Sequence, residues 1–226
     1  MRIALVGDSH TQVVWPALKK LLSATGYVVC LQEANPGWDV KSYQEKMNLP
    51  QKLASCNPDV VVYGLGGNNF ELTSDAYSRR IAWAIDAARN AGAKRILWVG
   101  PATAKRADVN DRHQKTADIL ASILPSYHVE FLDTRPFTLS GQRSDGVHFD
   151  SATYQRWAQR IADALANAPE ASPGRFVPSG GPRDGGKPAK APKGSQTPSR
   201  WLWVGGGLGL LALAALAFGS SHRQGR

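Results

Sequence analysis

The stretch Ile3-Ala4-Leu5-Val6-Gly7-Asp8-Ser9-His10, near the start of the chain, decides the fold. A short aliphatic run that ends in a glycine is typical of a buried strand. From about Thr11 to Ala24, apolar residues recur at helical spacing: Val14, Leu18, Leu21 and Leu22. The segment therefore predicts a strand that turns directly into a helix, with Ser9 at the turn.

A serine at a strand-to-helix turn can act as a nucleophile. Its hydroxyl is exposed at the carboxyl edge of the sheet, and its backbone N–H lies at the positive end of the helix. That placement suits an attack that creates an oxyanion. The alternative is a tight turn in which Asp8 and Ser9 only cap the helix. Taken alone, the segment Gly7-Asp8-Ser9 favours this second interpretation.

The first 167 residues alternate between short aliphatic runs and helical patterns. Further strands are predicted at residues 27–31, 59–63, 95–99 and 127–132. Such alternation predicts a parallel sheet covered by helices on both faces. We expect a three-layer, doubly wound α/β fold of the flavodoxin-like type, with five strands in the order 2-1-3-4-5.

Four separate polar loops leave or follow the carboxyl ends of these strands, and each carries one candidate site residue. These residues are Ser9, Gly37, Asn68 and His148. Ligands of open α/β sheets bind beyond the carboxyl ends of the strands, near the switch in strand order. We therefore expect the four loops to converge on one edge of the sheet.

His148 is the candidate general base. Asp145 lies three residues earlier on the same loop and can orient the imidazole and stabilise its protonated form. His10 lies beside the serine, but neighbouring residues on a turn rarely point at each other. The other histidines fall in a predicted helix, in a predicted strand and outside the domain: His113, His128 and His222. The alternative for Asp145 and His148 is a solvated loop that caps the last helix.

Three groups are candidate donors to an oxyanion: the backbone N–H of Ser9, the side-chain amide of Asn68 and the backbone N–H of Gly37. Gly66 and Gly67 precede Asn68 and allow the backbone to approach closely. The alternative for this glycine-rich segment is a plain turn, because Gly and Asn are turn formers.

Gly7-Asp8-Ser9, Gly37, Gly66-Gly67-Asn68 and Asp145-x-x-His148 resemble the four motif blocks of the SGNH (GDSL-type) hydrolases, in family order, over about residues 1–167. The resemblance implies a three-layer α/β fold with Ser9 as nucleophile, His148 as base and Asp145 as its partner. It also implies an oxyanion hole from Ser9, Gly37 and Asn68, and neither a metal nor an organic cofactor. One departure is Asn69, where the family often has aspartate.

The expected function is a serine esterase that hydrolyses carboxylic esters, such as an acetylated sugar or a short acyl ester. The same site would perform acyl transfer if water were excluded. A catalytically silent binding or structural module of a bacterial or phage assembly is the alternative from another class. Arg135 and Arg143 could meet an anionic substrate group, although solvated loop arginines are the commoner case. Trp38 could line the substrate pocket or pack over the sheet edge.

The net charge of +9 is uneven along the chain. Residues 1–167 hold 19 Lys and Arg against 16 Asp and Glu (+3), whereas residues 168–226 hold 8 against 2 (+6). A nearly balanced domain argues against a nucleic-acid groove. Cys30 and Cys56 lack metal-site spacing, so we expect two free thiols of a reducing compartment.

The C-terminal region predicts a membrane anchor. Residues 168–200 are rich in Pro, Gly, Ser and Lys, typical of a disordered linker. Residues 201–219 carry no charge and are long enough to span a bilayer, and 220–226 form a short basic tail. More basic residues precede the span than follow it, and no signal peptide precedes the first strand, so the domain is expected in the cytoplasm. The Gly205-x-x-x-Gly209 spacing allows pairing of two spans.

Overall fold

Five parallel strands form a sheet in the order β2-β1-β3-β4-β5, which confirms the predicted topology. The computed structural model describes residues 1–70 and 73–167. The strands are β1 (Arg2–Gly7), β2 (Val28–Ala34), β3 (Val60–Gly64), β4 (Arg95–Val99) and β5 (Glu130–Leu132). The strand order switches beside β1, so the carboxyl end of β1 lies where a ligand is expected to bind.

The helices are α1 (Ser9–Ala24), α2 (Val40–Lys46), α3 (Leu49–Cys56), α4 (Ser74–Asn90), α5 (Ala107–Ile123) and α6 (Ser151–Ala166). The segment between β2 and β3 contains two short helices, α2 and α3. Asn48 caps α3, and Pro50, which lacks an N–H, lies in its first turn. A 3₁₀ turn, Leu124–Tyr127, occupies the start of the predicted fifth strand, which is therefore shorter than expected.

Each face of the sheet carries its own hydrophobic core. Alternate residues of the central strands point to opposite faces, so Leu5 and Val62 pack against α1 and α6, whereas Val6 and Tyr63 pack against α2 to α5. Both faces are therefore covered by helices, as continuous apolar strands predict.

The expectation of two free thiols is wrong. Cys30 on β2 and Cys56 at the end of α3 form a disulfide, with their Cα atoms 5.4 Å apart. Sequence spacing carried no sign of it, because the two residues become neighbours only when α3 packs beside the edge strand. A disulfide is typical of oxidising compartments, which counts against the reducing compartment inferred from the thiols.

The predicted linker, membrane span and basic tail, residues 168–226, lie outside the described residues. Within 1–70 and 73–167, each helix is too short or too polar to cross a bilayer.

Candidate active site

The turn between β1 and α1 presents Ser9 at the first position of the helix. Asp8 caps the helix and accepts a hydrogen bond from the backbone N–H of His10 at 3.0 Å. Gly7 is required there, because a Cβ atom at this position would lie 2.0 Å from the hydroxyl oxygen of Thr11. The Ser9 N–H belongs to the first turn, where backbone donors have no partner within the helix.

His148 connects Ser9 to Asp145. The Nε2 atom of His148 lies 3.1 Å from the Ser9 hydroxyl oxygen, and its Nδ1 atom lies 2.9 Å from a carboxylate oxygen of Asp145. These are hydrogen-bonding distances in the order nucleophile, base and orienting acid. The sequence predicted this set, and the structure brings all three residues together.

The loop that carries Asp145 and His148 is braced by backbone hydrogen bonds. The Arg143 N–H donates to the His148 carbonyl at 2.7 Å, and the Gly146 N–H donates to the Arg143 carbonyl at 3.0 Å. The Gly146 carbonyl in turn accepts from the Lys105 N–H at 2.8 Å. The loop is therefore tied both to itself and to the segment that leads into α5.

Asp145 is held as a carboxylate. Hydrogen bonds from the backbone N–H groups of Val147 and His148, together with the His148 side chain, lower the pKa of Asp145 to about 2. An ionised carboxylate at Nδ1 places the ring proton on that nitrogen and leaves Nε2 free to accept the serine proton.

The loop Gly66-Gly67-Asn68, called the oxyanion loop here for its expected role, reaches the turn that carries Ser9 from β3. A Cβ atom on Gly67 would lie 3.3 Å from a carboxylate oxygen of Asp8, so the two loops approach as closely as the glycines were expected to allow. The Asn68 side-chain amide donates to the Trp38 carbonyl at 3.2 Å. That bond occupies one amide hydrogen and fixes the plane of the group, which leaves the second hydrogen for a ligand.

Gly37 lies in an exposed turn closed by a hydrogen bond from the Trp38 N–H to the Asn35 carbonyl, at 3.1 Å. Its φ of +75° is a conformation that favours glycine. The turn is anchored to the end of β1, because Asn35 N–H and the Tyr43 hydroxyl both donate to the Gly7 carbonyl, at 3.0 and 2.6 Å. These contacts place the Gly37 loop beside the nucleophile turn, and its role as an oxyanion donor stays a prediction.

Arg135 forms ion pairs and hydrogen bonds within the domain. Its guanidinium group donates to both carboxylate oxygens of Asp133 and also to Asp118 and Gln114. These bonds raise the pKa of Arg135, with Asp133 as the main cause. Its charge is therefore compensated within the domain.

Trp38 and Arg143 have contacts of different kinds. The half-buried ring of Trp38 packs edge-on against Tyr43, with centroids 5.1 Å apart. Arg143 is exposed and takes part in the loop through its backbone. The ring of Trp38 thus packs at the sheet edge while its carbonyl holds Asn68.

Two buried histidines, neither of them predicted as a site residue, flank the site. The ring of His10 lies 5.1 Å from that of His148, and its Nδ1 atom is 3.1 Å from the Tyr154 hydroxyl. His113 lies between two carbonyl oxygens, those of Ala102 at 2.6 Å and Gly67 at 3.1 Å. Helical spacing could have predicted their burial, because His10 and His113 lie on the inner faces of α1 and α5.

Burial disfavours charge directly behind the nucleophile. It raises the pKa of Asp8 to about 7 and lowers the pKa of His10 to about 3. Asn69, the departure from the family pattern, is buried and donates to the Thr116 hydroxyl at 3.4 Å. This contact ties the oxyanion loop to α5. Within the described residues, no group of three or more His, Cys, Asp or Glu side chains could hold a metal ion.

A family model described as "GDSL-like Lipase/Acylhydrolase family" matches residues 5–175. The chain belongs to this family. The match includes every residue of the candidate site, and membership makes the protein an SGNH-type ester hydrolase. No curated protein matches this GDSL-like hydrolase.

Several solved structures share the fold of this GDSL-like hydrolase. A mutant acetyl esterase with a bound acetate ion is 16% identical, with a TM-score of 0.60, over 74% of this chain and 96% of that one. Est24, a carbohydrate acetylesterase from Sinorhizobium meliloti, is 19% identical, with a TM-score of 0.60, over 73% and 98%. A catalytic mutant of Axe2, an acetylxylan esterase from Geobacillus stearothermophilus, is 15% identical, with a TM-score of 0.62, over 74% and 94%. At such identities the likeness establishes the fold.

Proposed function

We propose that this hydrolase is a serine esterase that removes short acyl groups, acetyl above all, from carbohydrate or other small esters through an acyl-enzyme on Ser9. The observation that carries the proposal is the continuous set of contacts from Ser9 through His148 to Asp145, at 3.1 and 2.9 Å. A serine hydroxyl is a weak nucleophile until an adjacent base removes its proton.

In the first half-reaction, the Ser9 hydroxyl oxygen attacks the ester carbonyl carbon while His148 Nε2 takes the hydroxyl proton. Asp145 stabilises the imidazolium that forms. The Ser9 N–H and the second amide hydrogen of Asn68 stabilise the oxyanion, with the Gly37 N–H as the third expected donor. His148 then gives its proton to the departing alcohol oxygen as the carbon–oxygen bond breaks.

In the second half-reaction, water attacks the acyl-enzyme and passes a proton to His148. The second tetrahedral intermediate collapses, the carboxylic acid leaves, and the proton returns from His148 to the Ser9 oxygen. Each step moves one proton through the same imidazole nitrogen, so the acid and base roles alternate on one residue.

The preference for acetyl esters is supported by the names of the structural neighbours, an acetyl esterase, a carbohydrate acetylesterase and an acetylxylan esterase. The experiment compares kcat/KM on 4-nitrophenyl esters of graded chain length and on acetylated xylo-oligosaccharides. We expect the highest values for acetyl esters and none for the Ser9→Ala variant. Equal turnover by wild type and Ser9→Ala would contradict the proposal. Product analysis with added sugar acceptors separates hydrolysis from acyl transfer.

We also propose that residues 201–219 anchor the domain to a membrane, with the catalytic domain on the cytoplasmic side. The uncharged span and the basic residues before it support this arrangement. The disulfide between Cys30 and Cys56 is the observation that opposes a cytoplasmic location. The full chain should sediment with membranes, and a chain ending at Arg200 should not. Modification of exposed lysines by a membrane-impermeant reagent in intact cells would overturn the cytoplasmic assignment.

A further inference from the structure

His10 and Tyr154 connect the two elements that carry the nucleophile and the base. His10 lies in the first turn of α1, directly after Ser9, and Tyr154 lies in the first turn of α6. The Nδ1 atom of His10 lies 3.1 Å from the Tyr154 hydroxyl oxygen. The same hydroxyl accepts a hydrogen bond from the backbone N–H of Phe149, the residue after His148, at 3.3 Å. A second connection therefore runs beside the contact between Ser9 and His148.

This connection is buried, whereas the pair it supports is not. His10 is 4% exposed and Tyr154 2%, while the side chains of His148 and Asp145 are 36% and 49% exposed. The ring of His10 packs close to the rings of His148, Phe149 and Trp157, at 5.1, 5.7 and 5.5 Å between centroids. Water can compete for the outer side of His148, so its position depends on what holds the inner side.

We propose that His10 and Tyr154 are a positioning pair, which holds the His148 loop against the nucleophile turn. The proposal rests on the function proposed above, because positioning has an effect only if His148 serves as the base. The letters GDSL in the family name denote a Gly-Asp-Ser-Leu motif, and this chain has His10 in place of the leucine. Leucine would fill the space but would offer no acceptor to Tyr154.

The proposed pair requires one particular tautomer of His10. The Tyr154 oxygen accepts the Phe149 N–H and lies 3.1 Å from the Nδ1 atom of His10. In the proposed pair, the single proton of the hydroxyl is donated to that nitrogen. His10 therefore carries its own proton on Nε2. A neutral ring at this place also avoids repulsion when the neighbouring His148 becomes an imidazolium during turnover.

Two variants of nearly equal shape separate the hydrogen bond from the packing. His10→Leu removes the acceptor, whereas His10→Asn keeps an oxygen acceptor on the same Cγ atom that carries Nδ1. With 4-nitrophenyl acetate and the full chain, we expect His10→Leu to lower kcat by on the order of tenfold with little change in KM. His10→Asn should recover most of that loss. Equal kcat for the two variants would overturn the proposal.

Tyr154→Phe removes the hydroxyl group from the other member of the pair. It also tests whether the hydrogen bond positions His148 if His10→Leu fails to fold. It should lower kcat as His10→Leu does, and the double variant should lose no more than either single variant. Fully additive losses would show that the two residues act separately and would overturn the pair. Thermal unfolding measures how much of each variant is folded at the assay temperature. Because unfolded protein lowers the apparent kcat without changing KM, kcat is compared per folded molecule.

The ¹⁵N resonances of the histidine rings give a readout that needs no turnover. The wild-type protein should show His10 protonated on Nε2, with an Nδ1 shift that changes in Tyr154→Phe. Protonation on Nδ1 in an active wild type would overturn the pair while leaving the esterase intact. The expected tautomer in a wild type that hydrolyses no ester would instead contradict the function proposed for the site.

Discussion

The two sides of Ser9 are built in different ways. On the base side, one short loop carries both Asp145 and His148, and their contacts measure 2.9 and 3.1 Å. On the oxyanion side, the candidate donors Asn68 and Gly37 come from loops after two different strands, and the Asn68 amide bonds to the Trp38 carbonyl. The base side is thus assembled within one loop, whereas the oxyanion side depends on how separate loops meet.

The largest expected effect comes from removal of the base. His148→Ala should lower kcat/KM by roughly 10⁴-fold or more, because Ser9 then has no partner to accept its proton. The matched control is His128→Asn, since His128 is exposed and has a φ of +52° that asparagine tolerates. Rates on 4-nitrophenyl acetate measure both. A loss of less than about tenfold in His148→Ala would exclude a base role.

Asn68→Ala removes a candidate hydrogen-bond donor from the oxyanion side. It should lower kcat by roughly 10²- to 10³-fold and leave KM nearly unchanged, because the lost hydrogen bond strengthens as charge develops on the oxygen. Single-turnover rates and KM on the same ester separate the two quantities. A raised KM with an unchanged kcat would assign Asn68 to substrate binding instead.

Asp8 lies between the two sides, and its burial should make the free energy of unfolding depend on pH. Burial raises its pKa from 3.8 to about 7, so the folded state binds the proton more tightly than the unfolded chain does. The contribution to stability is complete below about pH 4 and is lost as the pH rises to about 7. Relative to Asp8→Asn, the wild type should lose on the order of a few kcal/mol across this range. Urea unfolding at pH 4 and pH 8 measures it, and parallel pH profiles for both proteins would contradict it.

The smallest effect is expected from the histidine behind the oxyanion loop. His113→Leu removes the ring that lies between the carbonyls of Ala102 and Gly67 and should cost about 1–3 kcal/mol of unfolding free energy. It should also lower kcat, but by less than Asn68→Ala, because Asn68 itself remains. Thermal unfolding and ester hydrolysis report the two effects. A kcat loss as large as that of Asn68→Ala would contradict this order of effects.

The difference between the two sides also explains what the sequence could predict. The convergence of Ser9 and His148 follows from the alternation of strands and helices, because parallel strands bring their carboxyl ends to one edge. The strand order is the one that five such units commonly adopt. Asp145 and His148 are three residues apart on one loop, so their contact could be predicted from the sequence spacing alone. The bond between Asn68 and the Trp38 carbonyl joins residues 30 apart, and local pattern carries no signal for it.

Other features depended on packing between distant elements. The disulfide between Cys30 and Cys56 forms because α3 lies beside β2, which a parallel-sheet pattern does not specify. His10 was set aside because neighbours on a turn seldom face each other. In the helix, successive residues point about 100° apart, so Ser9 faces the solvent edge while His10 faces α6.

The most direct test of the central claim is the site at which a fluorophosphonate probe reacts. Peptide mapping of the full chain should find the phosphonyl group on Ser9, with labelling absent from Ser9→Ala and strongly slowed in His148→Ala. Labelling of Ser9→Ala at the wild-type rate, or attachment to a residue other than Ser9, would contradict the account.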